Sequence, residues 1–258
     1  MTYVGTSGYS YDDWVGPFYP EGTPKNRFFG YYLQHFGCVE VNYTYYSLPS
    51  ALTLGRLVSQ TGPDFRFTLK AFREMTQGRS QDPGLYSQYE SALAPIVERG
   101  QLGCVLLQFP NAFRLERASV DHLRYIRAQW PELPLVVEFR HESWLADERT
   151  WQFLRDHDLG FCCVDEPRLP GLMPPVIQCT GDLAYVRFHG RNAAKWYNHK
   201  EAWERYDYLY SQAELAEWVG PVRDLQSRGL DTYLFFNNHY QASAVKNATQ
   251  FAAMLESG

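Results

Sequence analysis

The chain has no CxxC pair, and its five cysteines (Cys38, Cys104, Cys162, Cys163 and Cys179) are an odd number. A disulfide framework or a structural zinc site is therefore not expected; buried, reduced thiols are. No apolar run approaches the roughly 20 residues that a membrane span needs. The N-terminus, MTYVGTSGY, lacks the basic segment and apolar core of a signal peptide, so the expected location is the cytoplasm. Neither GxGxxG nor GxxxxGK[ST] occurs, so no glycine loop is dedicated to nucleotide phosphates. There is no basic excess either. The net charge is -5, which gives no global attraction to nucleic acid or an anionic membrane. Nucleic acid remains a possible partner, but not the favoured one. No low-complexity linker divides the sequence.

What is present is alternation. Short β-rich runs recur at Tyr3–Thr6, Cys38–Asn42, Arg66–Lys70, Cys104–Gln108, Leu135–Glu138, Phe161–Val164, Ala184–Phe188 and Thr232–Phe236. Between them lies room for a helix and two loops each time. Tyr86, Tyr89, Leu93, Ile96 and Val97 form one apolar helical face, and Val120, Leu123, Ile126 and Trp130 another. Ser211 and Glu214 have capping-box spacing, and Gly229 sits where that helix should stop. Asn238 is placed to cap the last helix. Pro95 and Pro221 fall inside helical patterns, where kinks or breaks are expected. Eight such units in 258 residues predict an α/β fold: one TIM-type (β/α)8 barrel, residues 1–258, near the usual size of about 250 residues. The irregular stretches Gly8–Pro24, Glu166–Thr180 and Gly190–Tyr210 all follow strands, so they are long βα loops on the C-terminal face.

Buried parallel strands are normally apolar throughout. Several here alternate instead. Glu40 and Asn42 oppose Val39 and Val41; Glu138 and Arg140 oppose Val137 and Phe139; Arg187 and His189 oppose Val186 and Phe188. Lys70 and Gln108 are also flanked by apolar neighbours. The apolar face must meet the helices, so the polar face points into the barrel. Asp165, Asn237 and Asn238 add polar groups at strand ends. This concentration at one end predicts an active site. Glu40, Glu138, Asp165 and His189 are the catalytic candidates. The two glutamates are acid/base groups whose apolar flanks should perturb their pKa, and His189 is a proton carrier near neutrality. Asn42, Lys70, Gln108, Arg140, Arg187, Asn237, Asn238, Tyr46 and Trp14 are the substrate-binding candidates. Three cations among them imply a small anionic ligand, and the loop aromatics a sugar-like one. Three alternatives stay open: an ion network that only holds the barrel, a Schiff base on Lys70, and a divalent metal on Glu40, Glu138, Asp165 and His189. No cofactor is assigned, and the oligomeric state is not readable.

The blocks GTSGYSYDDWVGPFYP, VEVNYTYYSLP, FRFTLKAFREMT, LLQFP, VEFRHESW, YVRFHG, RYDYLYS and FFNNH…AVKNA occur in that order. Together they resemble the YecE-like family, known as domain of unknown function 72, from about Tyr3 to Leu255. The resemblance implies a TIM-type barrel and brings no settled activity. Recurrent polar positions of the family match Glu40, Asn42, Lys70, Gln108, Glu138, Arg140, His141, Asp165, Arg187, His189, Asn237 and Asn238. Tyr9 stands where tryptophan is usual, and Gln77 where a histidine often follows the threonine. Some members are similar in shape to endonuclease-IV-like barrels, which suggests a metal-dependent phosphodiesterase as an alternative; that is analogy of fold alone. A non-catalytic metabolite binder is a further alternative.

Overall fold

The computed structural model describes residues 1–257. Eight strands make one sheet: β1 (Thr2–Thr6), β2 (Cys38–Val41), β3 (Arg66–Lys70), β4 (Leu102–Gln108), β5 (Leu135–Glu138), β6 (Leu159–Asp165), β7 (Leu183–Phe188) and β8 (Asp231–Phe236). Each lies within two residues of a run read from the sequence. Their order is β1-β8-β7-β6-β5-β4-β3-β2, and every ladder is parallel. The sheet curls until β1 and β2 face each other, giving the (β/α)8 barrel. No helix among the described residues is long and apolar enough to cross a membrane.

The seam between β1 and β2 is closed differently from the other seven. A single parallel bridge joins Ser7 to Glu40, with Gly8 N–H donating to Glu40 O at 2.8 Å. Below it, the Tyr32 hydroxyl stands in for the missing ladder. Thr6 N–H donates to it at 3.1 Å, and it donates in turn to Cys38 O at 3.0 Å. Both backbone groups are buried and need a partner. Gly5 permits the close approach, because a Cβ there would lie 2.8 Å from Cys38 O and 2.8 Å from its Sγ.

Helices cover the outside. Tyr86, Tyr89, Leu93 and Ile96 are buried along the helix Pro83–Val97, whereas Val97 faces solvent. That helix and Gln212–Ser227 run through Pro95 and Pro221 without a break, against the expected splitting. Each proline removes only one internal hydrogen bond, and packing on the barrel holds the remaining turns. The capping box of Ser211 and Glu214 forms. Asn238 does not cap the last helix. That helix starts at Ser243, preceded by Gln241 and Ala242 in the left-handed region.

Tyr32→Phe should cost about 1–3 kcal/mol, the penalty for stranding buried polar groups, and Gly5→Ala a similar amount by overpacking. Gly30→Ala, which would meet nothing within 4 Å, serves as the control. Urea unfolding checks this: seam variants no less stable than the control would show that the seam is not held in this way.

Candidate functional site

Alternation along the strands sorts side chains into the barrel layer by layer. On β7 and its extension, Tyr185, Arg187 and His189 point inward; on β5, Glu138 and Arg140; on β2, Glu40. The inward residues Tyr185, Phe235 and Tyr233 form an aromatic floor. A layer of charge lies above it.

Arg187 occupies the centre. Its Nη2 donates to Glu40 Oε1 at 2.7 Å and its Nη1 to Glu138 Oε2 at 2.5 Å. Gln108 Oε1 accepts from Nη1 at 3.1 Å, and Ser7 Oγ lies 3.4 Å from Nη2. Tyr185 donates to Glu40 Oε2 at 2.7 Å, so Thr68, 3.0 Å away, donates to Tyr185. The other oxygen of Glu138 is shared by Arg140 Nε at 2.6 Å and His189 Nε2 at 3.1 Å. Asn237 Nδ2 sits 3.0 Å from His189 Nδ1. A carboxylate only accepts, so His189 carries its hydrogen on Nε2 and accepts from Asn237 on Nδ1. Arg140 Nη1 reaches Glu166 Oε2 at 3.0 Å, and Met173 N–H donates to Glu166 Oε1 at 3.1 Å.

These contacts set the protonation states. Burial works to raise Glu138, but Arg140, Arg187 and His189 outweigh it and hold the carboxyl well below the usual range. Its pKa is perturbed as expected, but downward, because apolar flanks matter less than the cations opposite. Burial, and then Arg140, push His189 down to about 3, so the imidazole is neutral. Burial raises Glu166 to about 7 against the pull of Arg140. Burial, and then Arg187, lower Lys70 to about 7, although Glu138 and Glu40 pull the other way. Lys70 Nζ lies 4.0 Å from the centre of the Tyr45 ring. Cys104 and Cys162, also inside the barrel, have thiols driven well above their ordinary range by burial, which makes them poor nucleophiles.

Glu40, Lys70, Gln108, Glu138, Arg140, Arg187, His189 and Asn237 are thus brought together. Asn42 is close by, its buried Oδ1 without a protein partner. Four candidates are not in this cluster. Asp165 points outward, three residues after inward Cys162, where it accepts from Arg191 at 2.6 Å, Trp218 at 2.7 Å and Tyr210 at 2.8 Å. Asn238, one residue past inward Asn237, also points outward and donates to Tyr208 O and Asn247 Oδ1, each at 2.8 Å. Trp14 is fully buried in the first loop, donating to His239 O at 2.7 Å. Tyr46, 72% exposed, stands at the rim edge-on to Tyr45.

The site also holds residues the sequence reading missed. Glu166 continues the inward set Cys162, Val164, Glu166, so counting by two would have found it. Arg205 and Asn111 come from loops, where no periodicity points to them, as do Trp196 and Tyr206, which the sequence marks only as members of the set of loop aromatics. With Gln108, Arg140 and Tyr197 they line a cavity of about 260 Å³ at the mouth. Asn111 donates to Arg140 O at 2.9 Å and anchors its wall. Larger hollows at the opposite end of the barrel and between outer helices carry none of these groups.

The donor set considered for a metal does not fit one. Asp165 is committed elsewhere, and the Arg187 guanidinium fills the space between Glu40 and Glu138. Among the described residues no three His, Cys, Asp or Glu side chains are arranged around one point.

Residues 3–258 match the family described as protein of unknown function DUF72. The chain belongs to the DUF72 family. A DUF72 family protein from Thermotoga maritima, solved by crystallography, is 42% identical, with all of both chains covered and a TM-score of 0.92. Another from Enterococcus faecalis is 25% identical, covers 100% of this chain and 96% of its own, and has a TM-score of 0.90. The UPF0759 protein YunF of Bacillus subtilis is 30% identical over 273 residues, which is 99% of this chain and 95% of YunF. The DUF72 barrel fold agrees with the strand count, and the family name assigns no reaction.

Two measurements probe the charge layer of this DUF72 chain. Arg187→Met leaves two buried carboxylates facing each other, and should cost about 3–5 kcal/mol in urea unfolding; a loss under ~1 kcal/mol would mean the layer relaxes freely. Lys70 is lowered by burial to about 7 in the folded chain, against ~10.4 for an unfolded lysine. Between pH 7 and 10 the unfolded chain therefore holds more proton, and stability rises with pH. The wild type should gain on Lys70→Met across that window, by at most about 1.4 kcal/mol per pH unit; parallel curves would place the amine in ordinary solvent.

Proposed function

We propose that this DUF72 chain is an enzyme that performs acid/base chemistry on a small anionic or sugar-like substrate at the C-terminal mouth of its barrel. The observation that carries this reading is local charge. Arg140 and Arg205 line the cavity at the mouth, and Arg187 and Lys70 lie in the charge layer with the carboxylates Glu40, Glu138 and Glu166. Among the described residues Arg205 has no carboxylate partner; it donates to Trp196 O at 3.0 Å and lies across the Trp196 ring. A cationic mouth in a chain of net charge -5 favours a phosphate or carboxylate. Trp196, Tyr197 and Tyr206 offer faces for a ring.

In this reading Arg140 and Arg205 take the anion, and Gln108 and Asn42 add hydrogen bonds. Lys70 and Glu166, the groups that titrate near pH 7, supply and accept protons. Glu40, Glu138 and His189 act as positioning residues that fix Arg187 and Arg140. A glycosidase pair of Glu40 and Glu138 is not favoured, because one guanidinium lies between the two carboxylates where substrate or water would have to sit. A non-catalytic metabolite binder remains the second reading. It is favoured by the full engagement of Glu138 and His189 with protein partners.

Calorimetric titration with inorganic phosphate, citrate and glucose 6-phosphate tests the anion site. At least one should bind, and Arg205→Gln should weaken it about tenfold with the melting temperature changed by less than about 2 °C. No binding by any of the three, or unchanged affinity in the variant, would overturn the assignment. Turnover of a bound ligand that is lost in Lys70→Met while binding persists separates enzyme from binder.

A further inference from the structure

Lys70 is unlike the other lysines of this protein. The chain has five, and Lys25, Lys195, Lys200 and Lys246 are all exposed. Lys70 alone is partly buried, at the C-terminal end of β3. Its backbone is pinned: Thr44 Oγ1 donates to Lys70 O at 2.5 Å and Tyr89 Oη at 2.9 Å. Its Nζ makes no hydrogen bond or ion pair with any described residue. The carboxylates that could have served it, Glu40 and Glu138, are tied to Arg187. Its Nζ packs over the Tyr45 ring, which is itself anchored by a hydrogen bond from its hydroxyl to Gln77 Oε1 at 2.9 Å. An amine held on a rigid strand end and left without a counter-ion serves poorly as a structural charge. It is well arranged as a nucleophile.

We propose that Lys70 is a covalent capture site: its ε-amine condenses with the carbonyl carbon of an aldehyde, ketone or 2-oxo acid whose second, anionic group is held by Arg140 and Arg205. The inference deepens the anionic-substrate reading and rests on it. The nitrogen lone pair forms the C–N bond as the carbonyl π pair moves to oxygen. Proton transfer from nitrogen to oxygen gives a carbinolamine. The nitrogen lone pair then forms the C=N bond as the C–O bond breaks, and the hydroxyl takes up the proton that the ammonium gave up before attack and leaves as water. Overall, a lysine ammonium and a carbonyl give a protonated imine and one water, with charge conserved and no redox change. The groups facing the amine are Arg187 on β7, Glu138 and Arg140 at the end of β5, Glu40 on β2 and Tyr45. Burial, and then the two arginines, disfavour a positive charge on the amine, and this keeps part of it neutral and nucleophilic near pH 7. The same cations would stabilise negative charge developing on the carbonyl oxygen.

The test incubates the full chain with pyruvate, glyoxylate or glyceraldehyde 3-phosphate and cyanoborohydride, which reduces an imine to a stable secondary amine. Intact-mass and peptide analysis then locate the adduct. With at least one probe, Lys70 should be modified at least tenfold faster than Lys25, Lys195, Lys200 and Lys246, with a rate that half-saturates near pH 7. Lys70→Met should leave only the slow surface labelling. Arg205→Gln should slow labelling by the acids, and acetone, which has no anionic group, should label Lys70 at least tenfold more slowly than pyruvate. Modification of Lys70 no faster than of the surface lysines, with all three probes, overturns the proposal. If phosphate still binds in an Arg205-dependent manner in that case, the covalent step fails while the anion site stands. Fast Lys70 labelling without dependence on Arg205 would keep the nucleophile and remove the anion site.

Discussion

One buried guanidinium organises the barrel interior. Arg187 is bound by Glu40 on one side and Glu138 on the other, and through Gln108 and Ser7 it also touches β4 and the end of β1. Such a cation is costly to take out of water without carboxylates to pair it. Buried ion pairs of this kind are generally close to break-even in stability against an apolar core of the same shape. Its value lies in arrangement: it fixes Glu138, Glu138 orients Arg140 and His189, and Arg140 presents one edge to the cavity at the mouth.

That arrangement leaves an asymmetry. The deepest charges are paired with one another, so they are held constant and unavailable. Towards the mouth the pairing runs out, first at Lys70 and then at Arg205. The network thus combines groups whose protonation is locked, Glu138 and neutral His189, with two that titrate near neutrality, Lys70 and Glu166. The proposed anion site lies where the pairing runs out, and a ligand there would supply the charge the protein leaves unmatched.

Much of this was legible in the residues. Eight strands could be found because each is short, rich in β-branched and aromatic side chains, and followed by a helical pattern. The inward set Glu40, Glu138, Arg140, Arg187 and His189 could be found because strand side chains alternate and only one face can be apolar. The same rule, applied past the strand ends, separates Asn237 from Asn238 and Asp165 from Glu166. Reading all polar residues at strand ends as one group put Asp165 and Asn238 in the pocket and left Glu166 out. Asp165 instead satisfies Arg191, Trp218 and Tyr210 beneath the helix Gln212–Ser227. Trp14 looked like a ligand platform by residue type, but it fills the packing of its own loop.

The sequence alone determined the period-two pattern, and with it which strand residues share the barrel interior, because backbone geometry enforces alternation without reference to the rest of the chain. It also determined the helical faces and the capping box, which are local. Tertiary structure decided how the charges pair, where Arg205 and Tyr206 come to rest, and that the Lys70 amine is left without a partner. Those outcomes depend on which residues from distant strands and long loops meet across the closed barrel, and on how far each is desolvated when they do.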